Sequence, residues 1–116
     1  MNPLKTSDLA PLGSFEEQVM LAVVRTGPEA YGMQVRRELE EVTSREVTVG
    51  SVYITLDRLE AKGFVTSARR ASRGESGSRR VFSVTALGAR ALAETRAMRE
   101  RLWDGVELRG LLGNAW

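Results

Sequence analysis

Apolar residues in the first half of the chain recur at helical spacing. Phe15 and residues 19–24 are apolar, so the predicted helix is apolar on nearly all sides, which is typical of a buried helix. Ser14, with Glu17 three residues later, is predicted to cap this helix, and Gly27-Pro28 is predicted to end it. The chain therefore opens with a buried helix preceded by a flexible arm, residues 1–13.

Two more helices are predicted before residue 63. The second follows Tyr31-Gly32, because apolar residues return every two to four positions among charged ones: Met33, Val35, Leu39 and Val42. The third begins at the N-cap candidate Thr48 and ends at Gly63. Its predicted buried stripe is Val49, Val52, Leu56 and Leu59, and its outward face is Gly50, Ser51, Thr55 and Arg58.

After Gly63 the pattern becomes that of strands. Residues 64–68 and 81–85 are short and rich in β-branched and aromatic side chains, and residues 72–78 between them favour turns. We expect a β-hairpin with a flexible tip, and then a helix capped by Thr85. The apolar stripe of that last helix is Leu87, Ala91, Met98 and Leu102, widened by Trp103 and Val106.

This order of elements is that of a winged helix-turn-helix. The predicted fold class is mainly α (α+β), with a three-helix core, a β-hairpin wing and a C-terminal helix. The predicted boundaries are a winged-helix domain over residues 14–85, a C-terminal dimerisation helix over 86–112 and a tail over 113–116. The third helix would be the recognition helix, which such motifs place in the major groove of DNA.

Composition excludes several classes of function. The 116 residues include no cysteine and no histidine, so disulfides, Cys/His zinc sites and a cysteine nucleophile are impossible. We expect no metal, no cofactor and no enzymatic activity, because no serine has a base candidate other than a lysine or a carboxylate. No apolar run is long enough to span a membrane, and we expect a cytoplasmic protein.

The net charge of +2 hides an uneven distribution. Residues 1–61 carry a net charge of −4 and residues 86–116 a net +1, whereas residues 62–85 carry +5. A basic hairpin directly after a helix with a small polar face indicates DNA binding. The alternative is a ligand-sensing or protein-interaction winged helix whose wing does not contact DNA.

Residues 13–85 also resemble a known family, the PadR family of transcriptional regulators. The matching stretches, in order, are the buried first helix, Gly27-Pro28-Glu29-Ala30-Tyr31-Gly32, Val49-Gly50-Ser51-Val52-Tyr53, Leu56-Asp57-Arg58-Leu59-Glu60, Lys62-Gly63-Phe64-Val65, and Gly77-Ser78-Arg79-Arg80-Val81-Phe82-Ser83-Val84-Thr85 leading to Leu87-Gly88. One departure is Val81-Phe82, where family members often have Tyr-Tyr or Arg-Tyr. The loss of a hydroxyl there weakens the case for a phosphate contact from that position.

The resemblance implies a homodimeric regulator, often a repressor, that binds a short inverted repeat through its recognition helix and wing. It implies the short subfamily, in which a single C-terminal helix makes the dimer, here with the stripe from Leu87 to Val106. It also implies a phosphate contact for Tyr53, with core packing as the alternative, and a planar ligand near Trp103, with a plain interface anchor as the alternative.

The candidate DNA contacts come from the second and third helices and from the hairpin. Tyr31 is either a phosphate contact or core packing, and Arg58 either reaches a phosphate or pairs with Glu60. Of Arg69 and Arg70, and likewise of Arg79 and Arg80, we expect one to meet DNA, because neighbouring residues of a strand point to opposite faces. The full candidate set is Tyr31, Thr48, Gly50, Ser51, Tyr53, Thr55, Arg58, Arg69, Arg70, Arg73, Arg79 and Arg80.

Overall fold

Three helices, a two-stranded hairpin and a longer helix follow one another in the computed structural model, which describes residues 11–71 and 78–113. The elements are α1 (Ser14–Thr26), a single 3-10 turn (Gly27–Glu29), α2 (Gly32–Thr43), α3 (Val49–Ala61), β1 (Val65–Ala71), β2 (Ser78–Val84), α4 (Ala86–Trp103) and the one-turn α5 (Arg109–Leu112). The predicted order of elements, and with it the winged helix-turn-helix architecture, is confirmed.

Side chains cap α1, α3 and α4 at their N-termini. Thr48 accepts a hydrogen bond from the backbone N–H of Ser51 at 3.1 Å, and Thr85 accepts one from the N–H of Gly88 at 3.0 Å, as predicted. The cap of α1 is one residue earlier than predicted. Gly13 is the N-cap, because the Glu16 carboxylate reaches back to accept its backbone N–H at 3.0 Å.

Glu16 also links α1 to the end of α3. Lys62 donates a hydrogen bond to Glu16 Oε2 at 2.6 Å. Burial alone would raise the pKa of Glu16, but the hydrogen bonds from Lys62 and the Gly13 backbone, with the nearby charges of Lys62 and Arg58, outweigh it and lower that pKa. Glu16 is therefore held ionised between the two helices.

The core lies where α1, α2 and α3 meet under the hairpin. Its fully buried side chains include Phe82, Met20, Leu56, Leu59, Val19, Val35, Val52 and Val65. The buried set on α3 differs from the predicted stripe at two positions. Val49 is 38% exposed, because the first turn of α3 extends past the core, and Thr55 takes a buried position with 8% exposure.

The hairpin is antiparallel, with Val65 opposite Val84 and Ala71 opposite Ser78. Its outer edge is joined to the segment before α2, because the backbone N–H of Phe82 donates to the carbonyl of Ala30 at 2.8 Å and Tyr31 forms a bridge with Val81. The predicted flexible tip, including Arg73, lies outside the described residues.

Part of the predicted flexible arm is ordered. Leu12 is only 8% exposed, and its backbone N–H donates to Thr95 Oγ1 of α4 at 3.1 Å. The prediction of a free arm is therefore wrong for residues 11–13, since Leu12 contributes to the core. Residues 1–10 of the arm and residues 114–116 of the tail lie outside the described part of the chain.

Helix α4 is packed on the body as far as the buried Thr95, and one turn later Arg99 still pairs with Glu17 of α1 at 2.6 Å. A Cβ on Gly88 would lie 2.1 Å from the carbonyl oxygen of Phe64, so glycine allows the close approach there. Ala91 is 2% exposed and belongs to this chain's core, and Leu87 packs against that core, so both positions are corrected from the predicted dimer stripe. The stripe alone cannot distinguish burial within one chain from burial against a second copy.

The end of α4, beyond Arg99, extends past the core. The helix ends at Trp103 instead of continuing to residue 112, because Gly105 turns the chain with a φ of +75° before α5. Leu102 is 69% exposed and Trp103 56% exposed. The radius of gyration is 17.1 Å, against about 13 Å for a compact domain of this length.

Candidate nucleic-acid interface

A cleft of about 440 Å³ lies between the start of α2, the exposed side of α3 and the part of the hairpin nearest its tip. It is lined by Tyr31, Met33, Arg37, Tyr53, Arg69, Arg79 and Arg80. Four of these residues are arginines and none is acidic, so the cleft is a cationic site. Such a site suits the phosphate groups of nucleic acid, which bind guanidinium groups through paired hydrogen bonds.

Tyr31 and Arg79 form one wall of this cleft. The Arg79 guanidinium carbon lies 4.6 Å from the centre of the Tyr31 ring, a cation–π contact. The Tyr31 hydroxyl accepts a hydrogen bond from Gln34 Nε2 at 2.9 Å. Its own proton is thereby left to donate, which an anionic ligand in the cleft would accept.

Tyr53 forms the floor of the cleft against α2. A Cβ on Gly32 would lie 2.2 Å from Tyr53 Cζ and 2.4 Å from its hydroxyl oxygen, so the ring rests on the first turn of α2. Tyr53 is half-buried and packs against the edge of the core. Packing therefore holds Tyr53 in place, and the same side chain lines the cleft.

The exposed face of α3 begins at its N-cap. The Ser51 hydroxyl donates to the Thr48 carbonyl at 2.8 Å and accepts from the Thr48 hydroxyl at 3.0 Å. The proton of Ser51 is therefore used within the cap, and Ser51 offers a partner only an acceptor. Gly50 is exposed, and a Cβ there would have no neighbour within 4 Å.

Further along α3, the outward residues differ from the predicted ones. Thr55, predicted as a DNA contact, is buried and cannot reach a ligand on this face. Ile54, which the sequence analysis did not consider, is 55% exposed, and Arg58 is exposed. The sequence could have predicted that Ile54 is exposed, because it lies outside the buried stripe of Val52, Leu56 and Leu59. Residues two positions apart on a helix do not share a face.

Arg80 is engaged within the chain. Its Nη1 lies 3.0 Å from Asp57 Oδ1 and its Nη2 lies 2.8 Å from Glu60 Oε1, both on α3. Its guanidinium carbon is 4.8 Å from the centre of the Phe82 ring. Glu60 thus pairs with Arg80. The expected alternative for Arg58, an ion pair with Glu60, is not observed among the described contacts.

The register of the two strands shows which hairpin arginines share a face. Arg69 lies opposite Arg80, and Arg70 lies opposite Arg79. Residues directly opposite each other share a face of an antiparallel pair. Arg69 therefore shares a face with Arg80, and both line the cleft. Arg79 lines the cleft from the face that it shares with Arg70, whereas Arg70 is exposed and is not among the lining residues.

The predicted dimer residues divide at the middle of α4. Beyond the buried Ala91, Met98 is half-buried and Val106 is 47% exposed. Together with the exposed Leu102 and Trp103, these side chains form what we call the C-terminal apolar patch. Further exposed apolar residues adjoin it in sequence: Leu108, Leu111 and Leu112.

Comparison with known proteins identifies the family. The sequence model of the "Transcriptional regulator PadR-like family" matches residues 20–94, from α1 into α4. The chain belongs to the PadR-like family. It is therefore a transcriptional regulator of a family that binds DNA, and not an enzyme.

A curated relative and solved structures agree with this family. The chain is 39% identical over 74 residues to the transcriptional regulator Rv3488 of Mycobacterium tuberculosis, a match that covers 64% of this chain and 66% of the relative. A PadR-like transcription factor from Bacteroides fragilis superposes with a TM-score of 0.69 at 24% identity, over 78% of this chain and 84% of that one. A PadR-family regulator from Eggerthella lenta gives a TM-score of 0.64 at 28% identity, over 83% and 81%.

Within residues 11–71 and 78–113, no helix combines the length and the apolar character that crossing a bilayer requires.

The contact of Tyr53 with Gly32 predicts a coupling between the two positions. Gly32→Ala should lower the free energy of unfolding by about 1–3 kcal/mol, because the new Cβ overlaps the ring of Tyr53. In a Tyr53→Ala background the same change should cost less than about 0.5 kcal/mol. Chemical denaturation of the four proteins measures the difference.

Gly50→Ala is the matched control, because open space surrounds its Cβ, and it should be neutral or slightly stabilising. An equal cost of Gly32→Ala in both backgrounds would contradict this placement of the Tyr53 ring.

Proposed function

We propose that this PadR-family regulator is a homodimeric repressor that binds an inverted-repeat operator. In this proposal α3 enters the major groove, and the β1–β2 wing follows the backbone or the adjacent minor groove. The supporting observation is the cationic cleft, in which arginine and tyrosine side chains from α2, α3 and the hairpin converge beside the exposed face of α3. Bound to its operator in the cytoplasm, the dimer would exclude the transcription machinery from the same DNA.

The N-terminal turns of α3 would read the operator. Gly50 has no side chain, so the backbone can approach base edges closely. The acceptor oxygen of Ser51 can take a base amino proton, and Arg58 can reach either a base or a phosphate. Thr48 holds this turn together through three hydrogen bonds with Ser51.

The cleft would take backbone phosphates. Arg79, held over the Tyr31 ring, and Arg37 of α2 supply charge from two elements, with Arg69 beside them. The hydroxyls of Tyr31 and Tyr53 would add neutral donors. Such contacts set the register of the protein on the duplex and give most of the affinity, without reading sequence.

Selection of bound sites from random duplex DNA, followed by binding at several salt concentrations, tests DNA binding. The wild-type chain should enrich a two-fold symmetric site, and log affinity should fall linearly with log salt. Arg79→Ala should lower that slope by about 0.9. Arg90→Ala, an equal change of charge on the first half of α4, should leave it unchanged.

If no duplex is enriched, or if binding is flat between low and moderate salt, the proposal is contradicted. The chain would then be the protein-interaction or ligand-sensing module that is the alternative interpretation of its basic hairpin.

The exposed position of Ile54 predicts a contact with a thymine of the operator. An exposed apolar side chain on a major-groove helix matches the 5-methyl group of thymine. Replacing one operator thymine by deoxyuridine, which lacks that methyl, should weaken wild-type binding roughly fivefold, about the effect of one buried methyl group. The same replacement should have no effect on Ile54→Ala.

Each thymine of the half-site is replaced in turn, so thymines that Ile54 does not touch serve as controls. An operator that shows equal deoxyuridine effects on both proteins at every position would contradict the role of Ile54.

The dimer would form through the C-terminal apolar patch. Leu102 and Trp103 are exposed on the last turn of α4, and a two-fold axis would bury the same patch of both copies. We expect Trp103 to anchor this interface. A planar ligand beside Trp103 stays a prediction.

Leu102→Glu should give monomers, because a carboxylate would be buried in the interface. Light scattering at micromolar concentration should show half the wild-type mass. Ile54→Glu, the same change at an exposed position of α3, should keep the dimer mass. A dimer that persists in Leu102→Glu would place the interface elsewhere.

A further inference from the structure

One carboxylate on α3 holds both strands of the hairpin. Glu60 Oε2 accepts the backbone N–H of Ser67 at 3.1 Å and the Ser67 hydroxyl at 2.8 Å, both from β1. Glu60 Oε1 accepts Arg80 Nη2 at 2.8 Å from β2. Charge-assisted hydrogen bonds of this kind are stronger than neutral ones, and three of them converge on one side chain.

A second carboxylate completes the arrangement. Asp57, one turn earlier on α3, lies 3.0 Å from Arg80 Nη1, while Phe82 lies under the same guanidinium. The side chain of Arg80 is 27% exposed and that of Glu60 35% exposed. Two acidic side chains of α3 therefore offset the charge of Arg80.

Arg79, its neighbour, is placed differently. It lies over the uncharged ring of Tyr31 on the other side of the cleft. Arg80, by contrast with this ring contact of Arg79, faces two carboxylates of α3. A cation that contributed only to DNA affinity would gain nothing from being paired with two acids beside the recognition helix.

We propose that Glu60 is a positioning residue that fixes the hairpin on α3, and that Glu60 and Asp57 together withhold Arg80 from DNA. The recognition helix and the wing then meet DNA as one unit with a set distance between groove and backbone contacts. This arrangement favours the operator over other duplexes, because a loosely held wing with an extra free cation would bind any phosphate backbone. The inference rests on the DNA binding proposed above.

The connection between α3 and β1 shows why a side-chain tie is needed. Only a short turn joins them, and Gly63 within it has a φ of +80°. Backbone hydrogen bonds from Gly63 to Glu60 and from Phe64 to Leu59 hold the turn itself, at 2.9 Å each. Beyond Phe64, Ser67 and Arg80 join the hairpin to α3 through Glu60 and Asp57, while Ala30 and Tyr31 hold the other edge of β2.

The first measurement needs no DNA. Glu60→Ala should speed amide hydrogen exchange at Ser67 roughly tenfold, because its charged acceptor is removed. Leu56, in the core part of the same helix, reports global stability and should change less. Glu41→Ala, an equal charge change at an exposed position of α2, is the control and should leave Ser67 unchanged. Equal acceleration at Ser67 and Leu56 would show a loss of fold and not of position, and would overturn the inference.

The second measurement compares the selected operator with an unrelated duplex of the same length. Glu60→Ala should bind the operator roughly tenfold more weakly, yet bind the unrelated duplex as well as or better than wild type, because Arg80 is released and a negative charge is gone. Tighter binding to both duplexes would show a charge effect only, and equal weakening on both would show damage to the fold. Either result overturns the inference while leaving the proposed function intact.

Arg80→Ala completes the design, with Arg79→Ala as its matched partner. Arg79→Ala should lower the salt slope by about 0.9, whereas Arg80→Ala should leave the slope unchanged and lower only operator affinity. The double variant Glu60→Ala/Arg80→Ala should bind the operator no more weakly than the weaker of the two single variants.

A fall in the salt slope for Arg80→Ala would show that Arg80 contacts DNA and would overturn the inference. A wild-type chain that binds no duplex would overturn the proposed function, and the inference with it.

Discussion

The hydrogen bonds of the Glu60 carboxylate are the interaction on which the geometry of α3, the hairpin and the cationic cleft depends. It receives Ser67 from β1 and Arg80 from β2 while standing on α3, so it joins three elements at one point. Buried carboxylates are costly when unpaired, but Glu60 is only partly buried and fully supplied with donors. The contact therefore orders the hairpin without leaving a charge uncompensated.

The hairpin is held on its other edge as well. The Phe82 N–H bond to Ala30 and the bridge between Tyr31 and Val81 attach β2 to the segment that leads into α2. The wing is thus fixed between the two helices of the helix-turn-helix. The cationic cleft is the space left between these attachments, which explains why residues far apart in sequence line it together.

Periodicity and turn chemistry predicted much of this fold. The caps Thr48 and Thr85, the hairpin and the order of elements follow from local pattern, which the sequence displays directly. The limits of the core do not follow from local pattern. A helical stripe indicates which positions share a face, but it does not show that α3 begins beyond the core at Val49 or that Thr55 lies inside the core. Local pattern also placed Leu12 in a free arm, because its partner Thr95 is distant in sequence.

The candidate site, like the fold, could be predicted only in part from the sequence. The excess of positive charge over residues 62–85 indicated the basic hairpin that lines the cleft, but charge alone could not distinguish Arg79 from Arg80. Only the fold brings Asp57 and Glu60 to Arg80, and only the fold brings Tyr31 to Arg79. The crystal structure of the chain on its selected operator tests the account most directly. It should show α3 in the major groove, Arg79 within hydrogen-bond distance of a phosphate, and Arg80 still paired with Glu60; Arg80 released from Glu60 onto DNA would contradict it.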